Sequence, residues 1–199
     1  MRPHRAEPIA VHHVPYWRVP CLLLLLLLAA CTSAPRAPSY SERYVQALET
    51  HDGVAVQSAH LEPFIEFITS LGSKDWKRKF QGVYAEQVHF SDTLALIEDR
   101  ATLQSYFADL NAANAQVSVN VLSQQLRGQD GYLIWEMRSS FKPIFATKHS
   151  HSIGMTHLRF NAEGEIILQQ DFWDAATGFY QHVPMLGQAV RGVNARLQP

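Results

Sequence analysis

Around Asn114 the spacing of apolar residues changes from that of a helix to that of a strand, and no other feature constrains the fold as much. Before that point, Phe64, Phe67, Ile68 and Leu71 recur at helical spacing and stop at Gly72, a candidate C-terminal cap. Ser73 or Asp75 is the candidate cap of a second helix carrying Trp76, Phe80, Val83 and Tyr84. Val88 to Asp92 reads as a short strand, and 99–113 as a third helix whose stripe is Leu103, Tyr106, Phe107 and Leu110. After Asn114, strands are predicted over 116–127, 131–142, 148–160 and 165–174, with turns at Gly128-Gln129-Asp130-Gly131 and Asn161-Ala162-Glu163-Gly164. Helices followed by a run of antiparallel strands predict an α+β domain whose helices cover one face of a curved sheet. A last amphipathic segment, 179–197, aligns Leu186, Val190, Val193 and Leu197. It is expected to pack on its own domain or close a pocket mouth, the other reading being a helix lying on a membrane.

The amino terminus reads as an export signal. Arg2, Arg5 and Arg18 precede Cys21, the run Leu22 to Leu28, and Ala29-Ala30-Cys31. That run is shorter than the ~20 apolar residues a spanning helix needs. Leu28-Ala29-Ala30-Cys31 resembles the bacterial lipobox, whose cysteine is acylated and becomes the first residue; the alternative is an ordinary secretory signal with an incidental cysteine. The predicted organisation is a signal over 1–30, an acylated Cys31 and flexible tether over 31–58, and a folded domain over 59–199. The segment 32–41 (TSAPRAPSYS) has the Ser, Ala and Pro content of a tether, and 42–60 has room for one short helix. This places the protein in a bacterial cell envelope, lipid-anchored and facing the periplasm; Thr32 in place of Asp after the cysteine favours the outer membrane by resemblance to enterobacterial sorting.

Removing the signal leaves 14 basic and 17 acidic residues, a balance of −3, so acyl chains rather than charge would hold the protein to a membrane. The same balance argues against nucleic acid as a partner. No thiol remains beyond Cys31, which excludes cysteine nucleophiles and cysteine-bound zinc from the domain. No Gly-rich phosphate loop is present.

Three helices, a short strand between the second and third, and a long antiparallel sheet resemble the nuclear-transport-factor-2-like (NTF2-like) superfamily. Within it, Gly154-Met155-Thr156-His157-Leu158-Arg159-Phe160, Glu163-Gly164-Glu165-Ile166 and Gln170-Asp171-Phe172-Trp173-Asp174 resemble the last strands of SnoaL-like proteins. The resemblance covers roughly 60–180. It implies a cone with a pocket between helices and sheet, but no single activity, because isomerases, epoxide hydrolases, polyketide cyclases and non-catalytic binders share the fold.

An even-length turn at Ala162-Glu163 would set Leu158 opposite Ile167, Thr156 opposite Gln169, Gly154 opposite Asp171 and Ser152 opposite Trp173. The other face would pair His157 with Leu168, Met155 with Gln170, Ile153 with Phe172 and His151 with Asp174. On the preceding strand, Leu133, Trp135, Met137, Ser139 and Phe141 form the drier set and belong under the helices. By resemblance to epoxide hydrolases of the superfamily, the first Asp of the last strand also points inward. The expected pocket residues are therefore Asp171, Trp135, Met137, Thr156, Gln169 and Trp173, with Tyr84 and Asp92 as candidate donors. The outer residues Ile153, Met155, Leu168 and Phe172 are apolar for a solvent face and predict a homodimer surface.

A carboxylate walled by Trp135 and Trp173 would be desolvated and poised as a general base; equally, Asp171 could fix the fold through backbone N–H groups or a Tyr. Tyr84 and Asp92 would serve an enolate oxygen, or else core packing and a turn. An epoxide hydrolase of this superfamily carries an Arg and an Asp two residues apart on the pocket face; here Met137 and Ser139 occupy those positions and Arg138 lies opposite. His149, His151 and His157 alternate, but span too much strand to share an ion, and no metal or organic cofactor is expected. His89 and Ser91 show no nucleophile elbow. The sequence thus predicts a domain binding a small hydrophobic molecule without turnover. The alternatives are an isomerase, cyclase or hydratase using Asp171 as base, and a dimeric scaffold.

Overall fold

The computed structural model describes residues 37–142 and 146–197. The export signal and Cys31 lie outside the described residues. Helices α1 (Tyr40–Thr50), α2 (Ser58–Thr69) and α3 (Trp76–Phe80) precede strands β1 (Tyr84–Ser91) and β2 (Leu96–Asp99). Helix α4 (Arg100–Ala113) leads into β3 (Asn114–Arg127), β4 (Asp130–Phe141), β5 (Lys148–Phe160) and β6 (Ile166–Trp173). A short α5 (Ala175–Gly178), a 3-10 turn at Tyr180–His182 and α6 (Leu186–Leu197) follow. The strands form one sheet in the order β2-β1-β6-β5-β4-β3, antiparallel except for β1 beside β6. The fold is α+β, as the change of period predicts.

The helices α2 to α4 bury their apolar stripes against the inner face of this sheet. Phe67 packs edge-on against Phe80, Tyr84 and Phe107, with ring centroids 5.4, 5.9 and 4.9 Å apart. Such contacts add to the burial of each ring. Tyr84 is a strand residue rather than the end of the second helix. That helix stops at Phe80, and Gly82, at φ 77°, redirects the chain through a backbone shape that other residues rarely adopt. Strand β2, between Asp92 and α4, is an element the sequence reading lacked.

The last hairpin differs from expectation by two residues. Thr156 sits opposite Asp171, Gly154 opposite Trp173 and His157 opposite Gln170, with a bulge between Arg159 and Phe160. The turn is wider than assumed: Asn161 N–H donates to the Glu165 carbonyl across Gly164, which has φ 81°. Because side chains alternate with period two, a shift of two keeps every residue on its expected face. His151 is an exception in partner: it meets Glu136 at 2.7 Å, while Asp174 caps α5.

The largest correction concerns residues 40–58, expected as tether with room for one short helix over 42–60. Helix α1 lies across the outer face of β5 and β6. Tyr44 contributes its ring to Phe172 at 5.2 Å and its hydroxyl to His157 Nδ1 at 3.0 Å. The Tyr40 hydroxyl donates to the Asp171 carbonyl at 2.5 Å. Arg159 donates to the carbonyls of Leu48 at 2.8 Å and His51 at 3.1 Å, and Ala47 is buried. Residues 51–57 then cross the hairpin-turn end of the sheet, where Val54 N–H meets the Phe160 carbonyl and Val56 N–H the Gly128 carbonyl. The folded unit therefore begins at Tyr40, not at residue 59. Leu168 and Phe172, expected on a dimer surface, are covered from within the chain. Ile134 and Ile153 remain exposed on that face.

Candidate functional site

Strand β6 carries the site because its inward residues follow one another at period two: Gln169, Asp171, Trp173. They face a cavity of about 340 Å³ between the sheet and helices α2 and α4, walled mainly by Phe64, Ile68, Phe90, Phe107, Val119 and Trp135. The lining also includes Asp92, Met137, Thr156, Gln169, Asp171 and Trp173. Of the residues anticipated from sequence, only Tyr84 stands behind this wall instead of in it.

The Asp171 carboxyl is the centre of a hydrogen-bonded chain. Thr156 Oγ1 donates to its Oδ1 at 2.7 Å and in turn accepts from Trp135 Nε1 at 2.9 Å. Gln169 Nε2 lies 3.2 Å from each carboxyl oxygen and donates toward both. The Gln169 carbonyl is held by the Tyr84 hydroxyl at 2.7 Å. Tyr84 is thus a positioning residue: its proton is spent on Gln169, which fixes the amide so that N–H points at the carboxyl.

Asp171 borders the cavity, half-buried and crowded by the surrounding rings. Burial penalises its charged form and raises its pKa to about 7, and the charge of Asp92 adds to the rise; the bonds from Thr156 and Gln169 pull the other way. Both protonation states are then populated near neutrality, as proton exchange with a bound molecule requires.

Asp92 is an acceptor here rather than a donor. Its Oδ1 takes the N–H groups of Leu94 at 3.0 Å and Ala95 at 2.8 Å, and its Oδ2 takes the Tyr106 hydroxyl. Its backbone carbonyl accepts from Trp173 Nε1 at 2.7 Å. Burial, followed by the Asp92 charge, raises the Tyr106 pKa, so the phenol keeps its proton. Tyr106 in the cavity wall was missed because its spacing with Leu103 and Leu110 is equally that of a packing residue.

Met137 and Ser139 line the wall, while Arg138 projects outward and donates to Glu136 Oε1 at 2.6 Å. The Arg and Asp pair of an epoxide hydrolase therefore has no counterpart at these positions. His157 lies buried between Tyr44 and Asp130, and His151 is held by Glu136, so the two diverge. Among the described residues no three His, Cys, Asp or Glu side chains are grouped to hold a metal ion. Helix α6 contributes nothing to the cavity wall; Gly178 and Phe179, ahead of it, do.

No protein-family model and no curated protein matches the sequence. Solved structures do. A protein assigned as a SnoaL-like polyketide cyclase from Jannaschia sp. CCS1 aligns with TM-score 0.53 at 12% identity, over 62% of this chain and 91% of that one. One assigned as a polyketide cyclase from Acidithiobacillus ferrooxidans aligns with TM-score 0.53 at 14% identity, over 70% and 99%. An LEH-like epoxide hydrolase from Mycobacterium tuberculosis aligns with TM-score 0.51 at 12% identity, over 69% and 94%. At such identities the likeness is one of fold, and over the aligned part of the chain the helices and six-stranded sheet match the SnoaL-like, NTF2-like fold.

Proposed function

We propose that this protein binds a small hydrophobic molecule in the cavity, with Asp171 as the polar anchor, while an acylated Cys31 holds the domain at the bacterial envelope. The observation that carries the reading is the Asp171 carboxyl in a chamber of about 340 Å³ whose wall is mainly apolar, with Asp92 and Lys142 also at its lining, within the usual size of small-molecule sites. The ligand is accordingly apolar over most of its surface and presents one hydroxyl or amine to Asp171. Binding without turnover is favoured because the donors of Trp135, Thr156, Gln169, Tyr84, Tyr106 and Trp173 already have acceptors in the protein. That leaves none of them to stabilise a developing oxyanion.

A second reading, an isomerase, cyclase or hydratase with Asp171 as general base, is favoured by its pKa of about 7. Asp171→Asn separates the two. Under the binding reading, mass spectrometry of purified wild type and variant should find the same retained small molecule, with affinity changed no more than a few-fold. Loss of turnover on that compound by roughly 10²–10⁴, with a wild-type pH profile rising through neutrality, would establish catalysis instead. The variant also reports the ionisation directly. Native Asp171 binds its proton more tightly than the unfolded chain does. The Asp171 contribution to stability, read as wild type minus variant, should therefore fall as pH rises from about 4 to about 7.

The anchor is tested by Cys31→Ser, which should abolish labelling of the protein by a tagged fatty acid and weaken its membrane retention; unchanged labelling counts against acylation. Self-association through the sheet, where it occurs, would use Ile134, Ile153 and Met155, the part of the outer face beyond α1.

A further inference from the structure

The chain after Asp174 is chemically distinct from the rest. Residues 175–199 contain no Asp or Glu and carry Arg191 and Arg196, whereas residues 31–174 hold 17 acidic against 12 basic side chains. Helix α6 within this stretch touches its own domain only lightly. Gly187 packs on the carbonyl of Gln181, which also accepts from Arg191 at 2.8 Å. The stripe predicted to pack inward mostly faces out: Leu186 is 44% exposed, Val193 54% and Leu197 78%, with Val190 half-buried, and Met185 just ahead of it is 84% exposed.

Leu186, Val190, Val193 and Leu197 fall at i, i+4, i+7 and i+11, within a narrow arc of the helix. Arg191 and Arg196 lie to either side of that arc. An apolar ridge flanked by cations is the pattern of a helix lying in the plane of a membrane interface. Its 12 residues are far too few to span one.

We infer that α6, with Met185, docks on a bilayer surface that contains anionic lipid. The charge pattern selects this occupant over a second copy of the chain, since two such segments face to face would set Arg against Arg with no carboxylate in either. The docked edge continues into the site. Tyr180 is exposed just ahead of the helix, and Phe179 both lines the cavity and stacks on Phe141 at 5.6 Å. Docking would therefore bring the Phe141–Phe179 side of the cavity to the lipid surface, where an apolar ligand is most concentrated. That consequence rests on the binding reading; the docking itself does not.

Hydrogen–deuterium exchange on the full chain tests it locally, whatever Cys31 contributes to anchoring. The chain is mixed with phosphatidylcholine vesicles, with or without phosphatidylglycerol, and peptides over 183–197 are followed. Exchange there should slow about tenfold or more on the anionic vesicles. Val193→Glu with Leu197→Glu should abolish that protection and leave strand peptides unchanged, since both side chains are exposed in the fold. Exchange unaffected by vesicles, or slowed equally by the uncharged ones, overturns the proposal. Protection that grows with protein concentration without vesicles also overturns it, in favour of self-association. A retained small molecule is scored separately, so either idea can fail alone.

Discussion

Gly154→Ala should lower stability by about 2–4 kcal/mol, roughly 5–12 °C in Tm, and close much of the cavity. Gly154 sits directly opposite Trp135 in the β4–β5 ladder, and the indole occupies the space a side chain there would need. A Cβ there would fall 2.2 Å from Trp135 Cζ2 and 2.3 Å from Cη2, closer than carbon atoms can approach. The backbone has little room to yield, because Gly154 is also paired with Trp173 on the other side. The indole must therefore swing into the cavity. In doing so it leaves Thr156 Oγ1, the atom that orients the Asp171 carboxyl, and loses a buried hydrogen bond worth about 1 kcal/mol. Thermal melts check the stability, and recovery of the retained small molecule checks the cavity. The mechanism has its own control: Trp135→Phe in the same chain removes the clashing ring, so the double variant should be more stable than Gly154→Ala alone. A Gly154→Ala protein that melts with wild type and keeps its ligand would show that the cavity wall is not built this way.

Arg159→Met should cost about 3 kcal/mol, despite similar side-chain length, because it leaves a partly buried carboxylate without its cation. Arg159 is 6% exposed; its Nε donates to Asp130 at 2.7 Å, and its guanidinium ties down the end of α1 through the carbonyls of Leu48 and His51. The variant should expose α1 to proteolysis before the domain unfolds. A change in Tm under about 2 °C, with α1 still resistant, would contradict this role. Acid should loosen the same helix. Burial holds His157 and His89, both beneath α1, below the usual histidine pKa. As pH falls below about 6.5, the freed state takes up protons that the packed state resists, so attachment of α1 weakens. Proteolysis between pH 7.5 and pH 5.5 reads this directly.

The sequence allowed a short helix over 42–60 but not its packing on the sheet, because the contact face of α1 is not conventionally hydrophobic. Tyr40, Tyr44, Ala47 and His51 follow helical spacing, but they are separated by Ser, Glu, Arg and Gln, and their partners are carbonyls, a histidine and one phenylalanine. The exposure of α6 was unreadable for the opposite reason. Its stripe meets every requirement of a packing face, yet among the described residues no element lies over it. The face of β6, by contrast, was readable even with the wrong register, since a slip of two residues cannot turn a side chain over.

The residues themselves determined the helix-then-sheet order, the side of the sheet that Asp171 shares with Thr156, Trp135 and Trp173, and the absence of the epoxide-hydrolase Arg and Asp at Met137 and Ser139. These follow from local periodicity and residue type. Tertiary structure alone decided that Tyr84 holds Gln169 from behind the wall, that Tyr106 binds Asp92, that α1 covers the back of β6, and that Asp171 is desolvated. Each depends on which groups from distant parts of the chain exclude water from one another, a quantity set by packing in three dimensions and not by neighbours in sequence.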